Sequence, residues 1–435
     1  MNPLQQDRLR LVRLPWIVAL LALLILGVVI ARLGGWEAHA REWLNLGVRF
    51  FHVLYAIAWI GASFYFIFLE NSLERQGVRE ELSGNIWTIH GGGMYYLEKY
   101  KTAPRQLPKY LHWFKWDAYF TWITGFLLLI IVYYADPKAA LLNPDSRLSS
   151  AAAVAIAVSS LVIAWLVYVG LSRTPLLQNP GLFMLVGLAL VGLTAWGLSH
   201  VFSGRGAFIH IGAMLGTLMA GNVFFVIIPS QKALVRAAQE GKTLDPSFVS
   251  WVQLRSRHNN YLTLPVLFTM ISNHFPSTYA SGLNWLILML LFVAGVAVRH
   301  FINVTEKEHH TTAEEGGAMP YLLVLAGAIV LGAFYLTAPK ATATATAQTV
   351  SFAQVQAIVG ERCATCHAAK PTQAGFASAP AGVMLDTPER ILQLKDSIIQ
   401  VAVNTQYMPL GNVTGMKPEE RALLGAWYKA GAKGP

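Results

Sequence analysis

The sequence predicts an all-α protein: a polytopic transmembrane bundle of about eight or nine helices, followed by a small helical domain outside the bilayer. Three observations carry this. Hydrophobic residues make up 54% of the 435-residue chain and charged residues only 13%, about half the charge of an ordinary soluble domain. Apolar stretches long enough to cross the hydrocarbon core recur along residues 1–338. After residue 349 the composition changes, and the chain's two cysteines fall together in Cys363-Ala364-Thr365-Cys366-His367.

The expected spans are 15–33, 46–70, 113–134, 150–171, 180–199, 206–229, 260–276, 283–303 and 319–337. The first is longer than a signal-peptide core and has no small-residue cleavage site after it, so it reads as a retained helix. The net charge of +10 sits in the connections, which is the pattern of a membrane protein and leaves no basic, aromatic-interleaved stretch for nucleic acid. Arg8, Arg10 and Arg13 precede the first span. Arg75, Arg79, Lys99, Lys101, Arg105 and Lys109 follow the second. Lys232, Arg236, Lys242, Arg255 and Arg257 follow the sixth. The connections near 34–45, 135–149 and 200–205 are poorer in Lys and Arg. The positive-inside rule then places the N-terminus in the cytoplasm. An odd number of spans puts the C-terminus outside.

Residues 339–349 form an Ala/Thr linker of small, repetitive composition, and 350–435 the compact C-terminal domain. Cys-x-x-Cys-His is the attachment pattern of c-type haem: the spacing brings both thiols to the vinyl groups while His367 reaches the iron. A redox dithiol would want a βαβ context, and a zinc site more Cys or His; neither is present. The sixth ligand is expected at Met408, with Met384 and Met416 as alternatives. The domain reads as a class I-like cytochrome c with a helix at each end. With both axial positions filled, it is an electron carrier rather than a catalyst. Haem attachment requires the outer face, in agreement with the charge rule.

Ionisable groups within spans are costly and point to function. His52, His210, His200 and His274 are expected at a similar outer depth on four helices and are candidate ligands of a b-type haem. The bland reading is interfacial histidines bonded to water. His112, His258 and His300 fall near the inner face, with His90 in the preceding loop and Glu70 at the end of the second span. Arg49 lies one turn from His52 and suits an anionic substrate or a propionate, or snorkels. Arg257-His258-Asn259-Asn260-Tyr261 is dense in hydrogen-bonding groups, Pro265 frees backbone groups one turn back, and Asn222 sits in mid-membrane. Gly91-Gly92-Gly93-Met94-Tyr95-Tyr96 lacks the Lys-Ser/Thr of a phosphate loop and reads as a flexible, close-packed bend.

The segments His52 to Glu70, Gly91 to Tyr96 and Arg257 to His274, fused to a C-terminal cytochrome c, resemble the bacterial membrane-bound urate hydroxylases. In these a urate oxidase N-terminal membrane domain precedes the cytochrome. The likeness spans nearly the whole chain. It implies oxidation of urate toward 5-hydroxyisourate in purine catabolism, with electrons leaving through the cytochrome to a respiratory terminal oxidase rather than as peroxide. It also implies the bacterial inner membrane, with the cytochrome periplasmic. No catalytic residue carries over by position. From chemistry alone, a planar anion wants an Arg or amide edge and an aromatic face, for which Arg49, Asn222, Asn259, Asn260, Trp59 and Trp87 are candidates. Glu70 or a histidine would serve as base.

Other classes are a quinol-oxidising respiratory cytochrome and a non-catalytic electron conduit. A haem-copper oxidase subunit is weak, since its characteristic histidine arrangement is missing.

Overall fold

The computed structural model describes residues 36–435 apart from 105, 144–145, 243–245, 309–319, 339–349, 374–375 and 377, together with Gly27, Arg32 and Gly34 ahead of them. The span expected at 15–33, two positions aside, and the linker at 339–349 lie outside the described residues.

The chain is mostly helical. In order come α1 (Glu37–Asn71), α2 (Lys115–Tyr134), α3 (Ser150–Leu171), α4 (Pro180–Val201), α5 (Gly204–Gln239), α6 (Pro246–Ser272), α7 (Asn284–Glu308) and α8 (Pro320–Thr337). Among the described residues, all of these except α6 are long and apolar enough to cross a membrane, as a multi-pass membrane protein requires. Caps start several of them. Ser149 accepts from the Ala152 amide, Asn179 from Leu182 ahead of Pro180, and Ser203 from Gly206. Both α2 and α5 relax into a π-turn, at Ile130–Tyr134 and Asn222–Ile227.

The helix α6 is too polar to face lipid alone. It packs between α5 and α7, which themselves contact α3, α4 and α8. Pro265 is accommodated because α7 offers Gly295 opposite it; a Cβ there would come within 3.4 Å of the proline ring. The principal core takes residues from α2 to α7, including Leu141, Phe202, Phe208, Ile211 and Leu288.

The bundle has two distinguishable ends. At one, the 135–149 and 202–203 connections meet through the Leu142–Phe202 bridge and the Ser203 amide on Leu141 O (2.8 Å). At the other, α1 runs into an antiparallel hairpin, β1 (Leu82–His90) and β2 (Gly93–Tyr100). The hairpin corrects the all-α expectation and the reading of Gly91–Tyr96 as a flexible bend. Gly91 and Gly92 both have positive φ (57° and 80°), the geometry of a tight two-residue hairpin turn. Ile86 and Leu97 pack on Leu69 of α1 and on Leu73 just beyond its end. Two boundaries also differ. The second span begins at Glu37. The seventh belongs to a helix starting at Pro246, so Arg255 and Arg257 are helical rather than in a loop, and His274 lies in the turn beyond.

The C-terminal unit has its own core. Val355 and Val359 of α9 (Phe352–Arg362) meet Leu424 and Trp427 of α10 (Pro418–Lys429). The Arg362 guanidinium clasps the Glu420 carboxylate through Nε (3.0 Å) and Nη2 (2.9 Å). The unit seats on the loop end of the bundle. There the Tyr407 ring meets Tyr279 edge-on at 5.5 Å, and Arg205 reaches the Tyr407 hydroxyl (3.4 Å).

The Arg362 partner holds the Glu420 carboxyl below the ordinary carboxylate range. Its contribution is therefore complete above the unfolded value of about 4.3 and is lost as pH falls through the lower folded value. Hydrogen exchange of the 352–362 and 418–429 peptides in the full chain should accelerate below about pH 4. Glu420→Gln should accelerate it already at neutral pH and flatten the acid dependence.

Candidate functional site

At the hairpin end, three helices converge on a cavity of about 100 Å³, room for several water molecules. Each helix supplies residues spaced i, i+3, i+4, the spacing that puts side chains on one face. These are Ile67, Glu70 and Asn71 of α1, Arg257, Asn260 and Tyr261 of α6, and His300, Asn303 and Val304 of α7.

The lining is organised by a buried cation. Arg299 is 1% exposed. Its guanidinium lies 3.8 Å from the Phe64 ring centroid, its Nε donates to Asn260 Oδ1, and its Nη2 has no protein partner among the described residues. Asn260 in turn reaches Asn303 Oδ1 (3.4 Å). Asn71 donates to Asn303 O (3.2 Å) and to Glu306 Oε2 (3.0 Å), linking α1 to α7. The Tyr261 hydroxyl pairs with His300 Nδ1 at 2.7 Å, leaving the other ring nitrogen free. Glu70 is ion-paired with Lys99 of β2 and with Arg75 (3.3 Å), so the hairpin borders the cavity. Arg257 is exposed and has no ion-pair partner among the described residues. The set can hold a small polar molecule offering both N–H donors and carbonyl acceptors.

Of the residues singled out from sequence, the fold brings Glu70, Arg257, Asn260, Tyr261 and His300 together here. It separates the others. Asn222, fully buried, donates to Tyr168 Oη and to Asn259 Oδ1 (both 2.9 Å) on the other side of α6, near His258 and Arg255. Trp59 packs in a small apolar cluster with Trp113 and Val223, and Trp87 lies exposed on the hairpin. Arg49 is at the loop end, bonded to Asn45 (3.1 Å). Sequence reasoning passed over Arg299 and Asn303. The signal was present: an arginine inside an apolar span, with an asparagine four residues on.

The outer histidines are spread out. His52 Nδ1 meets Thr121 O (3.0 Å) and Thr124 Oγ1 (3.1 Å), and its ring fills the space beside Gly125. His210 is fully buried, with Nδ1 on Gly206 O (2.7 Å) and Nε2 on Tyr134 Oη (3.0 Å). His200 bonds to Trp196 O (2.7 Å), and His274 is exposed. No two share a hydrogen-bond or ring partner, and no group of three metal-ligating side chains gathers among the described residues.

In the C-terminal unit, Cys363 continues α9 and the His367 amide bonds to Cys363 O (2.8 Å), so the motif is one compact turn. His367 Nδ1 faces Val383 O at 3.1 Å, the arrangement that leaves the second ring nitrogen for a metal. Burial pushes the Cys363 thiol up to about 11, and that of Cys366 upward. A redox dithiol needs the opposite shift. Met408 is held through its backbone by Val401 and Arg421. Met416 is buried in the core, and Met384 Sδ lies 3.5 Å from Arg390. The donor set fits a covalently held haem.

A family model described as urate oxidase N-terminal matches residues 38–338, the bundle and hairpin without the C-terminal unit. No curated protein and no solved structure matches.

Replacing Asn260 with Ala removes the acceptor of a buried guanidinium. It should cost about 1–3 kcal/mol, read as a lowered thermal midpoint in detergent. An unchanged midpoint would mean that Arg299 finds another acceptor.

Proposed function

The chain belongs to the urate oxidase N-terminal family, and from that premise we propose that it oxidises urate within the membrane and hands the electrons to a c-type haem on its C-terminal unit. The observation that carries this is the joining, in one chain, of the family's domain to a Cys363/Cys366/His367 donor set that seats on the same bundle.

Oxidation of urate removes two electrons and two protons. Addition of water to the oxidised ring then gives 5-hydroxyisourate. A bound c-type haem takes up one electron at a time and passes it to an external acceptor, for which a respiratory terminal oxidase is the natural class. The two electrons thus leave singly, without forming peroxide. Cys363 and Cys366 would hold the haem covalently. His367, oriented by Val383 O, and Met408 would supply ligands to its iron. For a second one-electron centre, a b-type haem, His52 is the best-suited residue, because its fixed Nδ1 leaves the other nitrogen free. The support is for a single ligand, since His210, His200 and His274 have other surroundings.

In this reading the protein lies in the bacterial inner membrane. The hairpin end, with Arg75, Arg79, Lys99, Lys101 and Lys109 in its connections, faces the cytoplasm, and the cytochrome domain faces the periplasm.

Urate added anaerobically to the oxidised, purified protein should reduce the c-type haem. Reduction by quinols but not by urate would instead favour a respiratory quinol oxidoreductase. His367→Ala should abolish the low-spin c-type spectrum. Met408→Ala should keep the haem attached but lose the sulfur-to-iron band of the oxidised protein. Loss of that band in Met384→Ala or Met416→Ala, with Met408→Ala unaffected, would reassign the ligand.

A further inference from the structure

Resting on that reading, we propose that the cavity between α1, α6 and α7 is the urate site and that urate reaches it from the hairpin end, which is the cytoplasmic side in the topology above.

Charge is the first argument. Around the cavity stand four cations, Arg75, Lys99, Arg257 and Arg299, against two carboxylates, Glu70 and Glu306. Glu70 is shared by Lys99 and Arg75. Glu306 accepts from the neutral Asn71 amide and also acts on Arg299 through space, without a direct contact. Arg257 and Arg299 are therefore left without a direct carboxylate contact among the described residues. An excess of guanidinium at a partly enclosed, low-dielectric site favours an anion.

Edge chemistry is the second. Urate is a flat anion whose rim alternates carbonyl oxygens and ring N–H groups. The lining offers the matching set. Arg257 donates to oxygens, Glu70 accepts from N–H, and the Asn71 and Asn303 side chains carry amides. Asn260 is pre-oriented: Arg299 takes its Oδ1 and Asn303 Oδ1 one N–H, so the second N–H of its amide is the group left for a ligand. In the tautomer whose Nδ1–H donates to Tyr261 Oη, His300 has Nε2 as an acceptor for a proton released from the substrate. Preorganisation of this kind places the ordering cost in the folded protein rather than in the binding step.

Position is the third argument. The cavity is formed by the C-terminal turns of α1 and α7 against the middle of α6, and it is bordered by the hairpin through Glu70–Lys99. We place its opening there, where the lining residue Arg257 is exposed beside the hairpin-bound Glu70. A second concavity, beside Tyr134, Pro137 and Ser150 at the loop end, presents mostly Ala and Val and no charged side chain.

Two measurements test the proposal. In inside-out membrane vesicles, urate added outside should reduce the c-type haem at once. In right-side-out vesicles the same addition should do so only after permeabilisation. The reverse pattern overturns the assignment. In the purified holoprotein, Arg257→Gln should raise KM for urate about tenfold or more, with kcat changed far less, and Arg257→Lys should recover part of the loss. A wild-type KM in Arg257→Gln overturns the site. If Arg257→Gln does not assemble, the vesicle result decides alone. Failure of the site differs visibly from failure of the function. In the first case urate still reduces the wild-type haem, but from the wrong side or indifferent to Arg257. In the second, urate does not reduce it at all.

Discussion

A helix as polar as α6 can cross a bilayer only where protein surrounds it, because an unsatisfied polar group in hydrocarbon costs several kcal/mol. Arg255, Asn259, Asn260, Thr263, Thr269 and Ser272 are each 5% exposed or less, and α5 and α7 provide the enclosure. The rest of the bundle follows from this requirement. The outer helices α3, α4 and α8 are plainly apolar and turn broad faces outward. The interior helices exchange hydrogen bonds instead. Asn222 and Asn259 join α5 to α6, Asn260 and Arg299 join α6 to α7, and Asn71 and Asn303 join α1 to α7.

The same requirement makes the two ends unlike each other. At the hairpin end the buried amides and guanidinium leave a polar cavity, because three helix faces of the same spacing meet there. At the loop end aromatic groups dominate. Tyr133, Tyr279 and Tyr407 gather about Arg205, which also bonds to Asn273. A long cation held by neutral oxygens and ring faces makes a directional joint between the bundle and the C-terminal unit. The proposed division of labour, substrate at one end and electron carrier at the other, uses this asymmetry.

The positions of the helices were largely legible in the residues, because length and apolar content suffice for a span. The exceptions have physical causes. The hairpin is hidden in the residues because its strands do not alternate: Ile86-Trp87 and Met94-Tyr95-Tyr96-Leu97 are unbroken runs, and the positive φ of Gly91 and Gly92 that makes the turn is a backbone fact. The start of α6 was obscured because its first turns are polar and look like loop until α5 and α7 are seen to cover them. Arg299 sat inside a span that reads as plain by average hydropathy. A single buried cation hardly moves such an average, yet it organises a site.

The residues alone determined the Cys-x-x-Cys-His donor set on which the haem proposal rests, since Cys363, Cys366 and His367 are neighbours in the chain and their spacing is itself the geometry. They also determined that the chain carries helices long and apolar enough to cross a membrane, because transfer of apolar surface depends on composition rather than on arrangement. Only the tertiary structure decided which polar residues work together. Glu70, Asn260 and Asn303 are far apart in sequence and meet because α1, α6 and α7 pack side by side. His52 and His210, alike in depth and type, have different neighbours because they project from different helices. Contacts between distant segments depend on packing, and hydropathy carries no record of which face meets which.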